Sequence, residues 1–187
     1  MKKLFITTAM ALSLGSGAFA ESYIIDTEGA HASINFKVSH LGYSYVMGRF
    51  DTFTGGFEFD AANPEAGSVT VEIDLSSVNT NHAARDNHVR SADFFDVAKA
   101  PTASFASTGI KVTGDKTAVI TGDLTMSGIT KSVDLETTFV GEGKDPWGGY
   151  RAGFIGTTEI KLGDYGMGGV IGDQDVALTI VAEGLRQ

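Results

Sequence analysis

The sequence predicts an all-β protein, an eight-stranded antiparallel barrel with one short helical insertion. Three observations carry this reading. Apolar and polar residues alternate in segment after segment, glycine is abundant at 24 residues against 3 prolines, and a single stretch switches to helical spacing. A length of 187 residues suits one domain with ample core.

The first twenty residues stand apart from that pattern. Lys2 and Lys3 precede an apolar stretch from Leu4 to Leu14, and Ala18-Phe19-Ala20 supplies small residues at the two positions a signal peptidase reads. This predicts a secretory signal peptide over 1–20, with cleavage before Glu21 and a barrel domain over 21–187. The apolar stretch is well short of the ~20 residues that cross a bilayer. Lipid anchoring at the cleavage site needs a cysteine, and the chain has none. Losing Lys2 and Lys3 leaves 12 basic and 23 acidic residues, a net charge of −11. A soluble, acidic protein of the periplasm is expected.

Strands follow in order. Ile34, Phe36 and Val38 oppose Ser33, Asn35 and Lys37, and Val69, Val71, Ile73 and Leu75 oppose Thr70, Glu72 and Asp74. The period returns at Ile120, Leu124 and Met126, at Val133, Leu135 and Phe139, at Phe154, Ile160 and Leu162, and at Val176, Leu178, Ile180 and Ala182. Less regular strands are predicted over 46–59 and 103–112. Turn chemistry separates them: Asn63-Pro64 with Gly67, Thr113-Gly114-Asp115, Ser127-Gly128, and Asp145-Pro146-Trp147-Gly148-Gly149. Short connections favour antiparallel neighbours. About eight such strands either close on themselves, which removes exposed edges, or pack as a two-sheet sandwich.

From Asn81 to Ala98 the apolar residues fall at helix-like intervals, with Asn81 or Thr80 as N-cap and Lys99-Ala100-Pro101 as the stop. One or two short helices are predicted there, as a long connection capping one end of the barrel.

Composition and motifs exclude several functions. Acidic excess without a basic run argues against nucleic acid. The lack of cysteine removes disulfides, thiolate metal sites and thiol nucleophiles. No nucleophile elbow, zinc-binding His-Glu-x-x-His or phosphate loop occurs, and Gly141-Glu142-Gly143 fails as a dinucleotide fingerprint because Pro146 takes the third glycine position. His82 and His88, six apart, point to largely different sides of a helix, so no metal site is expected. Asp86 beside Arg85 and Arg90 reads as a helix-surface ion pair. Ten phenylalanines after the leader fit either a filled aromatic core or a lined cavity for an elongated apolar ligand.

The stretches His31-Ala32-Ser33-Ile34-Asn35-Phe36, Ser39-His40-Leu41-Gly42-Tyr43-Ser44, Val78 to Asp86 running into Arg90-Ser91-Ala92-Asp93-Phe94-Phe95, Ile120 to Thr125 with Gly128 to Lys131, and Asp145 to Phe154 together resemble the YceI family of bacterial periplasmic, lipocalin-like proteins. The resemblance covers essentially the whole chain after the leader. It implies a lipocalin-like barrel whose apolar interior binds a polyisoprenoid lipid, an isoprenoid quinone or a polyprenyl phosphate, for transport, storage or stress response. It implies no enzymatic activity and no cofactor.

What the resemblance transfers is a face of the barrel. The candidate ligand contacts are Phe36 and Val38, Phe50 and Phe57, Phe105, Leu124 and Met126, and Phe139 and Phe154 on the strands, with Phe94 and Phe95 from the insertion. His40, Tyr43 and Arg85 are candidates for the head group. Partners are then the lipid itself, a membrane in transient exchange, and at most a second copy of the chain. Two alternatives come from other classes: an enzyme on an apolar substrate with His40, Arg85, Asp86 and His88 at the mouth, and an outer-membrane barrel. Charges such as Glu72, Asp134 and Glu159 on one strand face disfavour the latter.

Overall fold

A computed structural model describes residues 20–167, 169 and 172–187. The predicted leader lies, apart from Ala20, outside the described residues. The described residues form eleven strands: β1 (Glu21–Ile25), β2 (Ser33–His40), β3 (Ser44–Phe50), β4 (Phe53–Phe59), β5 (Ser68–Asp74), β6 (Val78–Asn79), β7 (Thr102–Val112), β8 (Thr117–Met126), β9 (Ile129–Lys144), β10 (Tyr150–Lys161) and β11 (Asp175–Arg186). All pairings are antiparallel, and the β1–β11 pairing closes the sheet.

Three short strands are continuations of others. Both β1 and β2 pair with β11, at Tyr23↔Arg186 and at Val176↔Val38, so together they form one interrupted strand. In the same way β3 continues as β4 beside them, and β5 continues through a 3-10 turn into β6, which pairs back to β3 at Arg49↔Asn79. The result is an eight-stranded up-and-down barrel, as the alternation predicts. The resemblance to a lipocalin-like architecture holds, and the two-sheet alternative does not.

The alternating residues point as their period requires. Ile34, Ile73, Phe105, Leu124 and Val176 are buried while their strand neighbours are exposed or half-buried. Glycines make room for several inward rings. A side chain at Gly48 would collide with Phe36, one at Gly122 with Phe105, and one at Gly184 with Phe57.

Up-and-down order fixes which connections share an end. The β2–β3 and β8–β9 turns, the segment between β10 and β11, and the insertion between β6 and β7 fall at one end. The β4–β5, β7–β8 and β9–β10 connections fall at the other. The first end is filled: Phe50, Leu75, Val78, Phe95, Ala103, Met126, Tyr165 and Met167 are buried there.

The insertion carries one helix, α1 (Ala83–Arg90), shorter than the predicted span. His82 is its N-cap, its ring accepting from the Arg85 amide, in place of Asn81 or Thr80. The expected ion pair on its surface is also corrected. Asp86 is buried and accepts from the Thr80 amide at 2.8 Å and hydroxyl at 2.5 Å, which stitches the helix to the end of β6. Burial alone would raise the Asp86 pKa, but the Thr80 bonds outweigh it and hold the carboxyl below its ordinary value.

Candidate functional site

Inside the barrel, from its middle to its second end, runs an apolar cavity of about 300 Å³. Ile34, Ile73, Phe105 and Leu124 line its inner part, and Phe57, Phe59, Phe139 and Phe154 its outer part. The outer rings form one cluster. Phe154 lies edge-on to Phe57 at 5.3 Å and to Phe59 at 5.0 Å and packs on Phe139 at 5.3 Å, while Tyr23 stacks on Phe57 at 4.9 Å. Such ring pairs hold one another at fixed angles, which stiffens the wall without filling the lumen. At the surface the lining passes to Ala61 and Pro64 of the β4–β5 connection and to Gly114–Thr117 of the β7–β8 turn. The cavity opens there, and only Glu58, Asp115 and Lys116 bring charge to it.

Of the fourteen candidates, five line the cavity and nine do not. Phe57, Phe105, Leu124, Phe139 and Phe154 line the cavity. Phe36, Val38, Phe50 and Met126 face inward but pack toward the filled end, with Phe36 on Phe50 at 5.7 Å. His40 and Tyr43 stand exposed on the β2–β3 hairpin, Tyr43 at 87%. Arg85 is spent on Thr80, its guanidinium donating to the hydroxyl and the carbonyl, both at 2.8 Å.

Phe94 and Phe95 depart from the expectation that they contact the ligand. Phe95 is buried against Phe50 at 5.9 Å, Phe94 meets the edge of His88 at 5.1 Å, and neither lines the cavity. The physical reason is connectivity. The insertion joins β6 to β7, whose adjoining ends lie at the filled end of the barrel, so its aromatics complete the plug.

The groups required by the enzyme alternative are likewise dispersed. His88 pairs with Asp93 at 2.9 Å on the surface, Asp86 is committed to Thr80, and His40 projects from a separate hairpin.

A second polar constellation lies on the outer wall. Arg151 Nη1 bonds Asp26 and Glu183, each at 2.6 Å, and its Nε bonds Asp145 at 2.8 Å. His31 Nδ1 completes the group at 2.9 Å from Asp26. Arg151 foremost, then His31 and the Gly29 amide, hold the Asp26 carboxyl well below the usual range; Arg151 is also the main reason Asp145 is lowered. Among the described residues Asp26, His31 and Glu183 form the one cluster with metal-ligand donors close together. The guanidinium already supplies their cation, so the cluster fits a network that ties the break between β1 and β2 to β10, β11 and the β9–β10 turn. His31 and the Asp145–Arg151 stretch carried the resemblance without an assigned role, and this network is their role in the fold.

A family model described as a YceI-like domain matches residues 23–184. The UPF0312 protein of Azotobacter vinelandii is 55% identical over 188 residues, covering 96% of this chain and 98% of that one. Among solved structures, the Campylobacter jejuni YCEI protein is 30% identical with a TM-score of 0.72, covering 80% of this chain and 90% of its own. A polyisoprenoid binding domain from Saccharophagus degradans, described as implicated in plant cell wall breakdown, superposes with a TM-score of 0.68 at 18% identity. It covers 89% of this chain and 99% of its own.

Proposed function

The chain belongs to the YceI-like family, and on that premise we propose that its barrel is a binding and carrier protein for a polyisoprenoid lipid, working in the periplasm after removal of residues 1–20. The observation that carries this reading is the cavity itself. It is lined by aliphatic and aromatic side chains, plugged at one end and open at the other, a shape that accepts a flexible apolar chain tail-first. The polyisoprenoid binding described for the Saccharophagus degradans domain on the same fold supports the ligand class.

Burying one five-carbon isoprene unit contributes about 4 kcal/mol gross, at ~0.8 kcal/mol per carbon group. A bilayer offers the same tail a similar refuge, so net affinity rests on fit and head group, and the protein exchanges lipid with membranes. Exchange suits transport or storage.

The mouth favours an uncharged quinone head over a polyprenyl pyrophosphate. A pyrophosphate calls for clustered cationic donors, whereas Lys116 stands with Asp115 and Glu58. The arginines of the insertion are engaged elsewhere, Arg90 donating to the Ser76 and Val78 carbonyls at 2.6 and 3.0 Å. Competition between a ubiquinone and a polyprenyl pyrophosphate of equal tail length tests this. Preferential binding of the quinone at physiological salt is expected; preference for the pyrophosphate contradicts the head-group assignment, and binding of neither contradicts the carrier reading.

A further inference from the structure

The chain has one tryptophan, Trp147, and it sits at the tip of the β9–β10 turn with 81% of its surface exposed. The turn beneath it is firmly built. The Asp145 carboxylate accepts from the Trp147 amide at 2.9 Å and the Gly149 amide at 2.8 Å. The Asp145 amide donates to the Gly149 carbonyl at 3.0 Å. Arg151 clamps the same carboxylate from the barrel wall at 2.8 Å. The backbone is therefore fixed in a form that holds the largest apolar side chain of the protein in water. Packing does not explain this. A buried indole would remove roughly 150–250 Å² of surface from solvent, and the turn forgoes that gain.

Position in the barrel supplies a reason. The β9–β10 turn lies at the same end as the β4–β5 and β7–β8 connections between which the cavity opens. A tail leaving a bilayer for this cavity has to cross water unless the open end rests on the membrane surface. Indole rings settle at the boundary between head groups and acyl chains, where an apolar body meets a polar edge.

We propose that Trp147 is an interfacial anchor that sets the open end of the barrel on a zwitterionic bilayer during lipid exchange. The proposal rests on the carrier reading for its purpose and on the rim geometry for its site. Charge selects the surface. Without residues 1–20 the chain is acidic, at −11, and the mouth adds Glu58 and Asp115 against Lys116, so an anionic membrane repels this end. A second exposed apolar group, Leu41, Tyr43, Tyr45 and Met47, lies on the β2–β3 hairpin at the plugged end. Docking through that hairpin would turn the opening away from the membrane.

Because Trp147 is the sole indole, its emission reports docking without a label. Titrating the leader-free protein with phosphatidylcholine vesicles is expected to shift the emission to the blue. Replacing a third of the lipid by phosphatidylglycerol should give no tighter binding. In vesicle flotation Trp147→Ala is expected to lose at least tenfold in bound fraction while Tyr45→Ser floats as wild type. Unshifted emission at saturating phosphatidylcholine, binding that requires the anionic lipid, or flotation abolished by Tyr45→Ser and not by Trp147→Ala would each overturn the proposal. The carrier reading fails separately: a protein that docks through Trp147 but never retains a prenyl lipid keeps the anchor and loses the cargo.

Discussion

The ring of Phe105 rests directly on Gly122 of the neighbouring strand, so close that a Cβ built on the glycine would lie 2.6 Å from Phe105 Cε2. The missing side chain lets a large aromatic face inward without standing far into the lumen, and the same device pairs Phe57 with Gly184. Gly122→Ala is therefore expected to push the Phe105 ring into the cavity, costing about 1–3 kcal/mol through overpacking and reducing retained lipid several-fold. Denaturant unfolding and lipid extraction check both. A fully stable variant with wild-type retention would show that the ring moves elsewhere.

Phe95 and Phe154 separate plug from cavity. Phe95→Ala removes a buried ring at the filled end and is expected to cost about 3–5 kcal/mol, with ligand affinity of the folded protein little changed. Phe154→Ala, in the wall of the lumen, should cost less stability and alter affinity more. Equal effects on affinity would mean that the two ends are not distinct.

The Arg151 network sets a pH dependence. Asp26 and Asp145 have folded pKa values below their unfolded ones, so their contribution is complete above about pH 4 and is lost as pH falls through the folded values. Arg151→Met leaves Asp26, Asp145 and Glu183 without their shared cation. Asp26 and Asp145 then lose the main cause of their lowered pKa values, so the variant is less stable than wild type at pH 7 and the difference narrows at about pH 3.5. Urea unfolding at both values is the check, and a constant difference between the two proteins would exclude the network as the source.

At the plugged end the Tyr165 hydroxyl is buried without a hydrogen-bond partner among the described residues, and burial, with a smaller push from Asp164, drives its pKa up to about 12. Tyr165→Phe is expected to raise stability by about 1 kcal/mol, since it removes an unpaired polar group. A loss of that size in thermal unfolding would show that the hydroxyl is bonded.

Most of the barrel is legible because one buried face imposes a period of two, and a strand such as Val69–Ile73 shows it without interruption. The strand β1 was missed because five residues with Tyr23, Ile24 and Ile25 in succession carry no clear alternation. Asp86 was misread because its spacing from Arg90 suits an ion pair and a helix-to-strand tie equally well. Which end of the barrel opens is not legible in the sequence. Counting connections along an up-and-down barrel puts the insertion and the β7–β8 turn at opposite ends, but which end is hollow depends on where bulk accumulates. Leu75, Phe95, Met126 and Tyr165 come together from four separate segments to fill one end, and only the fold brings them together.

Native mass spectrometry of the protein purified from cells without detergent shows whether the barrel holds a prenyl lipid. A polypeptide beginning at Glu21 is expected, carrying one adduct that is released on activation and identified as an isoprenoid quinone. A protein that is uniformly ligand-free, or that carries only a polar molecule, would contradict the carrier reading.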